Sequence, residues 1–114
     1  MLDYLFIRAW KYDNNPNISY QIYVKDRYGD NWRYYEHAYD SDGSKIDTTL
    51  ISRDVSSCSQ YGCAFDEHIG LNVSKAYLES HKETGIRFKI SGTGGEEIFF
   101  IPGTYIKAFL EVVE

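Results

Sequence analysis

Ile18-Ser19-Tyr20-Gln21-Ile22-Tyr23-Val24-Lys25-Asp26 is the stretch on which the fold turns. Ile18, Tyr20, Ile22 and Val24 take every second position, with Ser19, Gln21, Tyr23 and Lys25 between them. A period of two sends alternate side chains to opposite faces, so the segment reads as a half-buried β-strand. A loop dense in turn residues, Asp13-Asn14-Asn15-Pro16-Asn17, precedes it, and a turn over Arg27-Tyr28-Gly29-Asp30 is expected after it. Upstream, residues 1–10 read as a strand in which Leu5, Ile7 and Ala9 alternate with Phe6, Arg8 and Trp10. Both of its sides are partly apolar, which predicts a strand covered on both faces. Downstream, residues 31–39 are expected to return as a hairpin partner. Their facing stays open, because one side carries Trp32, Tyr34, Glu36 and Ala38 and the other Arg33, Tyr35, His37 and Tyr39.

The remaining chain keeps the same rhythm. Asp40-Ser41-Asp42-Gly43 is a turn. Residues 45–58 form a longer, polar strand, which predicts an edge or a solvated face. Residues 63–73 are a strand with Cys63, Phe65, Ile69, Leu71 and Val73 in phase. Ser74 then serves as an N-cap for a helix over 75–83, closed by Thr84 and Gly85. Strands over 86–91 and 96–101 flank the turn Gly92-Thr93-Gly94-Gly95. Pro102 starts a second helix whose Ile106, Phe109, Leu110 and Val113 make one apolar stripe. The predicted fold is mainly β, an antiparallel sandwich of about seven strands with two short helices in a single domain over residues 1–114. The alternative is an α+β roll, one curved sheet with the helices on one face. Phe109, in mid-stripe, is expected to be buried, so that Phe109→Ala would cost about 3–5 kcal/mol.

Composition narrows the function by exclusion. The chain has 114 residues, 17 acids against 12 bases, and a net charge of −5. Its pI near 5.1 and lack of a Lys/Arg cluster argue against nucleic acid or an anionic membrane surface as partner. No apolar run is long enough to span a bilayer. Residues 1–10 do not read as a signal peptide, since a basic start and a small-residue cleavage site are both missing. A strand so close to the start is expected of a mature or trimmed chain. Aromatic residues make up 17% of the sequence, with 11 Tyr, 6 Phe and 2 Trp. Such rings either fill a β core or form a stacking surface. Tyr23, Trp32, Tyr34, Tyr35 and Tyr39 are the candidate binding surface.

Signals for chemistry are sparse. Asp40 to Asp47 has the look of a calcium loop, but Ala38 and Thr49 would occupy the two strongest ligand positions, so a plain hairpin turn is expected. The glycines of 92–95 join strands rather than open a helix and are followed by Glu96 and Glu97, which is no phosphate site. His37, His68 and His81 share no ligand spacing. No nucleophile motif is present, and neither a catalytic residue, a cofactor nor a metal is assigned. Asn17-Ile18-Ser19 and Asn72-Val73-Ser74 match the glycosylation acceptor pattern.

Cys58-Ser59-Gln60-Tyr61-Gly62-Cys63 is more informative. Four intervening residues with a glycine suit a hairpin loop that sets the two cysteines opposite each other, so a disulfide is predicted. Closing so small a loop is worth roughly 2 kcal/mol, and the bond implies an oxidising compartment. In simple register Ser56 would then face Phe65, Asp54 face Glu67, Ser52 face Ile69 and Arg53 face His68, with Arg53 diagonal to Asp66. The like-charge pair of Asp54 and Glu67 is unfavourable. It points either to a shared proton or cation, as in acid catalysis, or to a bulge or a neighbouring arginine such as Arg33 or Arg87.

Tyr20 to Gly43 and Gly62 to Pro102 resemble an uncharacterised family of small exported or lipoprotein-type bacterial proteins. The matching segments are Tyr-Gln-Ile-Tyr-Val (20–24), Glu-His-Ala-Tyr-Asp-Ser-Asp-Gly (36–43) and Glu-His-Ile-Gly-Leu-Asn-Val (67–73). The resemblance implies a periplasmic or secreted place and carries no functional residue. The expected function is a non-catalytic cell-envelope module that binds a protein or glycan through an aromatic, acidic surface. A cytoplasmic place is the alternative for location. A hydrolase using Asp54, Asp66, Glu67 or Glu36 is the alternative for function. Intact mass before and after reduction checks the location argument. A gain of two hydrogens, about 2 Da, is expected on reducing the Cys58–Cys63 bond; free alkylation of both thiols in the folded, unreduced protein would remove it.

Overall fold

Alternating sequence becomes seven antiparallel strands in the computed structural model, which describes residues 3–29 and 31–113. In chain order they are β1 (Asp3–Lys11), β2 (Ile18–Tyr28), β3 (Tyr35–Asp40), β4 (Lys45–Ser59) and β5 (Gly62–Val73), then helix α1 (Lys75–Ser80), β6 (Ile86–Gly92), β7 (Gly95–Ile101) and helix α2 (Gly103–Val113). The mainly β class, the strand number and the two short helices are as the sequence predicts. The strands share one hydrogen-bonded order, β1-β2-β5-β4-β3-β6-β7, in a curled sheet. β4 belongs to both halves of it. Its first residues pair with β3 (Ala38↔Ile46, Tyr39↔Lys45), and from Asp47 onward it pairs with β5.

The core lies on one side of this sheet. Tyr20, Ile22, Val24 and Tyr28 of β2 face it together with Ile7, Ile69 and Leu71, and the other half contributes Ala38, Ile46, Ile86, Phe88, Ile90, Phe99 and Ile101. Leu78 of α1 and Ile106 and Leu110 of α2 close it. α1 is capped at Ser74, whose hydroxyl accepts the Tyr77 N–H as expected, but it stops at Ser80, three residues early, and residues 81–84 turn instead. The Ile7 N–H on edge strand β1 donates to the Tyr105 hydroxyl of α2, 3.2 Å away, so the helix also tends a strand edge.

Several expectations are corrected. β2 runs on to Tyr28, past the turn expected to begin at Arg27; Asp30 of that turn and the first two residues of the first predicted strand lie outside the described residues. Residues 31–34 are not strand, so β3 is shorter than residues 31–39 and pairs with β4 and β6 rather than β2. A bulge at Glu36 resolves its facing. Tyr35 and Ala38, three apart and thus from opposite sides of an ideal strand, are both buried because the extra residue resets the phase. Bulges at Ile51 and Ser56 likewise shift β4, so that Val55 faces Phe65, Asp54 faces Asp66, Arg53 faces Glu67 and Ser52 faces His68. β1 is covered on one face only: Ile7 is buried, whereas Tyr4 is 48% and Phe6 40% exposed.

The glycine-rich turn between β6 and β7 has a packing role. A Cβ on Gly92 would sit 2.0 Å from the Tyr34 carbonyl oxygen, so only glycine lets this hairpin lie against the backbone of residues 33–34. Phe109 is the last correction. It is partly buried, meeting Tyr20 edge-on at 6.5 Å between ring centres, while Ile106 is completely buried. Urea melts of Ile106→Ala are expected to show a loss of about 2–5 kcal/mol, and those of Phe109→Ala a smaller one, below the 3–5 kcal/mol of a fully buried ring. The reverse order would mean that α2 docks through Phe109.

Candidate functional site

Two polar constellations stand on opposite faces of the β1-β2-β5-β4 half. The inner one centres on Glu67, which is 2% exposed. Its carboxylate accepts the Tyr28 hydroxyl proton, the N–H groups of Tyr34 and Tyr35 (2.9 Å each) and the Nε–H of Arg53 (3.2 Å). Tyr28 in turn accepts from the Arg33 N–H at 2.7 Å. Beside it, Asp26 accepts from the Tyr35 hydroxyl (2.5 Å) and Arg33 Nη1 (3.0 Å). Arg33 lies over the Tyr28 ring and Arg53 over that of Tyr34. Four donors of the chain thus converge on the Glu67 carboxylate. Burial first, then the hydrogen bonds to Glu67 and Asp26, push the Tyr28 and Tyr35 hydroxyls well above the ordinary tyrosine value. This arrangement holds the segment after β2 in place, and Tyr34 is kept at φ 55°, a left-handed conformation that costs an aromatic residue about 1–3 kcal/mol.

The outer constellation lies on the solvent side of the sheet, with Phe6 40% exposed and Gln21 and Asp66 buried within it. Phe6 and Tyr23 stack at 4.8 Å between centroids, and the Arg8 guanidinium lies 4.8 Å from the Tyr23 ring and 5.6 Å from that of Trp10. Cross-strand pairing explains the strip: Phe6↔Tyr23 and Arg8↔Gln21 are direct neighbours of β1 and β2. From Arg8 a chain of side-chain hydrogen bonds crosses four strands. Arg8 Nε donates to Gln21 Oε1 (2.8 Å), Gln21 Nε2 to Asn72 Oδ1 (2.9 Å), and Asn72 Nδ2 to Asp47 and Thr49 (2.9 Å each). Gly70 makes this possible, because a Cβ there would lie 2.3 Å from Gln21 Cδ. Tyr23 Oη and His68 Nδ1 are 2.6 Å apart. Asp66 is held below the usual carboxylate range mainly by its hydrogen bond from Arg27, 2.8 Å, with Lys25 at 4.0 Å. At the Trp10 end opens a cleft of about 830 Å³, lined by Trp10, Asn17, Ser19, Asn72, Ser74 and Lys75 among others.

The five aromatics singled out from sequence do not form one surface. Tyr23 belongs to the outer strip. Trp32 packs on Phe65 at 4.5 Å and leans on Tyr34 at 6.2 Å, in the segment before β3. Tyr35 is buried in the Glu67 constellation. Tyr39 lines a separate hollow with Arg87 and Ile98. Phe6, Arg8, Trp10, Gln21 and Asn72 were not singled out. The alternation of Phe6, Arg8 and Trp10 against Leu5, Ile7 and Ala9 was the available signal, obscured because both sides of β1 carry apolar groups.

The four candidate carboxylates are likewise dispersed. Asp54 and Asp66 are opposite each other on the outer face, Glu67 points inward, and Glu36 sits on the β3 bulge. The expected Arg53–Asp66 contact is replaced by Arg53–Glu67, with Arg27 on Asp66. Asp40 acts as a turn cap, accepting the N–H groups of Asp42 and Ser44 at 3.0 Å. Among the described residues no three His, Cys, Asp or Glu side chains gather as a metal site. Cys58 and Cys63 are joined, with Cα atoms 4.0 Å apart. No helix among the described residues is long and apolar enough to cross a membrane. Compared with known proteins, the chain matches no family model, no curated protein and no solved structure.

The raised hydroxyls give a pH signature. In the unfolded chain tyrosines ionise near pH 10, whereas Tyr28, Tyr35 and also Tyr77, half-buried beside Asp40, resist ionisation in the folded protein. Their stabilisation is therefore complete below about pH 10 and declines above it, toward the folded values. Urea midpoints at pH 8, 10 and 11 are expected to fall slightly by pH 10, where unfolded tyrosines are half ionised, and more steeply from 10 to 11, less so in Tyr28→Phe, for which the ionisation is removed. A midpoint flat to pH 11 would show that these hydroxyls are not held.

Proposed function

We propose that this chain is a non-catalytic binding module working outside the cytoplasm, and that it holds a glycan against the outer face of β1, β2 and β5. The observation that carries the reading is the solvent-facing strip of Phe6, Tyr23, Arg8 and Trp10 beside a fixed row of amides. Sugar rings present flat C–H faces and a rim of hydroxyls. Aromatic faces suit the first; the exposed Arg8 guanidinium and the half-buried Asn72 amide suit the second, with Gln21, itself 3% exposed, holding both in place. The row needs no reorganisation on binding, because Gln21 and Asn72 are already fixed by their neighbours. The aromatic strip lies toward β1, and Asp47 and Asp54 are exposed on β4, so the surface is aromatic at one end and acidic at the other. The disulfide supports an oxidising compartment, such as the periplasm or the cell exterior. The resemblance to small exported bacterial proteins points the same way.

One geometric fact favours a second reading, a carboxylate hydrolase: Asp54 and Asp66 are cross-strand neighbours. Against it, Asp66 is committed to Arg27 and lowered in pKa, the opposite of a general acid.

Calorimetric titration with hexasaccharides of glucose, N-acetylglucosamine and xylose tests the proposal. At least one is expected to bind. Phe6→Ala and Trp10→Ala are expected to weaken it about tenfold or more, and Gly70→Ala, which displaces Gln21, to weaken it while the core stays intact. No binding by any of the three, or binding indifferent to all the variants, would overturn the outer-face glycan reading.

A further inference from the structure

We infer that the glycan of the outer face carries one acidic sugar, and that its carboxylate pairs with Arg8 at the β1 end of the strip. The inference rests on the glycan reading above and names the chemical class of its ligand. Arg27, Arg33 and Arg53 each have an aspartate or glutamate partner. Arg8 is exposed, and among the described residues no carboxylate lies within ion-pair distance of it. Arg87 has none either, but it lies over Phe100 with no side-chain hydrogen bond among the described residues to fix it. Arg8 is fixed. Its Nε and Nη2 donate to Gln21 Oε1 at 2.8 and 2.5 Å, and its guanidinium carbon lies 4.8 Å from the Tyr23 ring and 5.6 Å from that of Trp10.

A guanidinium carries five N–H groups, so with two on Gln21 three remain. The amide oxygen orders this cation and does not neutralise it. A planar fork already held in place, with its charge uncompensated, fits a carboxylate, which accepts two parallel N–H bonds. The placement of the acids limits the ligand to one such group. The hydrogen bonds of the row run one way, from Arg8 to Gln21 to Asn72 to Asp47, so cation and carboxylate stand at opposite ends with two neutral amides between them. Asp47 and Asp54 are exposed on β4, whereas the cleft at the Trp10 end has no Asp or Glu among the described residues that line it. A carboxylate at the β1 end therefore meets a cation, and a second one further along the glycan would lie against Asp47. Neutral sugars at that end donate their hydroxyls to it instead.

Calorimetric titration compares each of the three neutral hexasaccharides with the same chain ending in one glucuronate, and with a hexamer of galacturonate. In at least one pair the acidic member is expected to bind about tenfold more tightly. That advantage should shrink to about threefold or less as salt rises from about 20 mM to about 500 mM. In Arg8→Gln the ratio of acidic to neutral affinity is expected to fall to about one, and in Arg8→Lys, which keeps the charge and loses the fork, to about threefold. Lys107→Gln, which removes a charge from the exposed side of α2, is expected to keep the full ratio. The ratio separates pairing from support, because an Arg8 that only positions Gln21 would weaken both members alike when replaced. Neutral binding with no acidic advantage, or an advantage that survives Arg8→Gln, would overturn the inference and leave the glycan reading standing. A hexagalacturonate that binds most tightly of all would overturn the single-acid assignment. No binding by any sugar, acidic or neutral, would overturn both readings.

Discussion

The Glu67 carboxylate joins what the backbone barely connects. Among the described residues, the two halves of the sheet share only the pairs Ala38↔Ile46 and Tyr39↔Lys45. Glu67, on β5, reaches across to the N–H groups of Tyr34 and Tyr35 at the start of β3, while gathering Tyr28 from β2 and Arg53 from β4. A buried carboxylate is costly unless its lone pairs are filled, and here four donors fill them. The arrangement is directional as well as stabilising. It fixes where residues 33–35 run, and so where the β6–β7 hairpin, seated on that backbone through Gly92, can lie.

The Glu67 carboxylate is filled by donors of this chain, and the proposed binding face lies on the other side of the same strands. There the same pairing of β2 with β5 places Gln21 beside Asn72, and β1 adds Arg8. Burial of Asp26 and Glu67 on one side and placement of Phe6, Arg8 and Tyr23 on the other thus follow from a single register. A slip of one residue would exchange the two faces, putting Gln21 and Tyr23 into the core and Ile22 and Val24 into water.

Much of the architecture was legible because strands advertise themselves by alternation. Residues 18–26, 86–91 and 96–101 were readable for that reason, and the Cys58–Cys63 pair because four residues with Gly62 have few other uses. What escaped came from single-residue insertions. The bulges at Glu36, Ile51 and Ser56 leave no mark on composition, since each is imposed by partners distant in sequence. They nevertheless decide that Arg53, not Asp54, meets Glu67. The candidate site was harder still. Phe6, Arg8 and Trp10 looked like one half of a covered strand, and nothing local shows that β1 would be an edge with a bare face. Tyr35 and Trp32 looked like surface aromatics, but the closure over Glu67 draws them inward or sideways.

The placement of the two indoles has an optical consequence. Trp10 lies on the outer strip against Arg8, and Trp32 lies against Phe65 in the segment that closes over Glu67. Their emission therefore reports two different events within one chain. An adduct on the outer face perturbs the first fluorophore, and opening of the segment before β3 perturbs the second. With Trp10 or Trp32 replaced by Phe in turn, occupancy of a surface and integrity of a joint become separately visible in the same small protein.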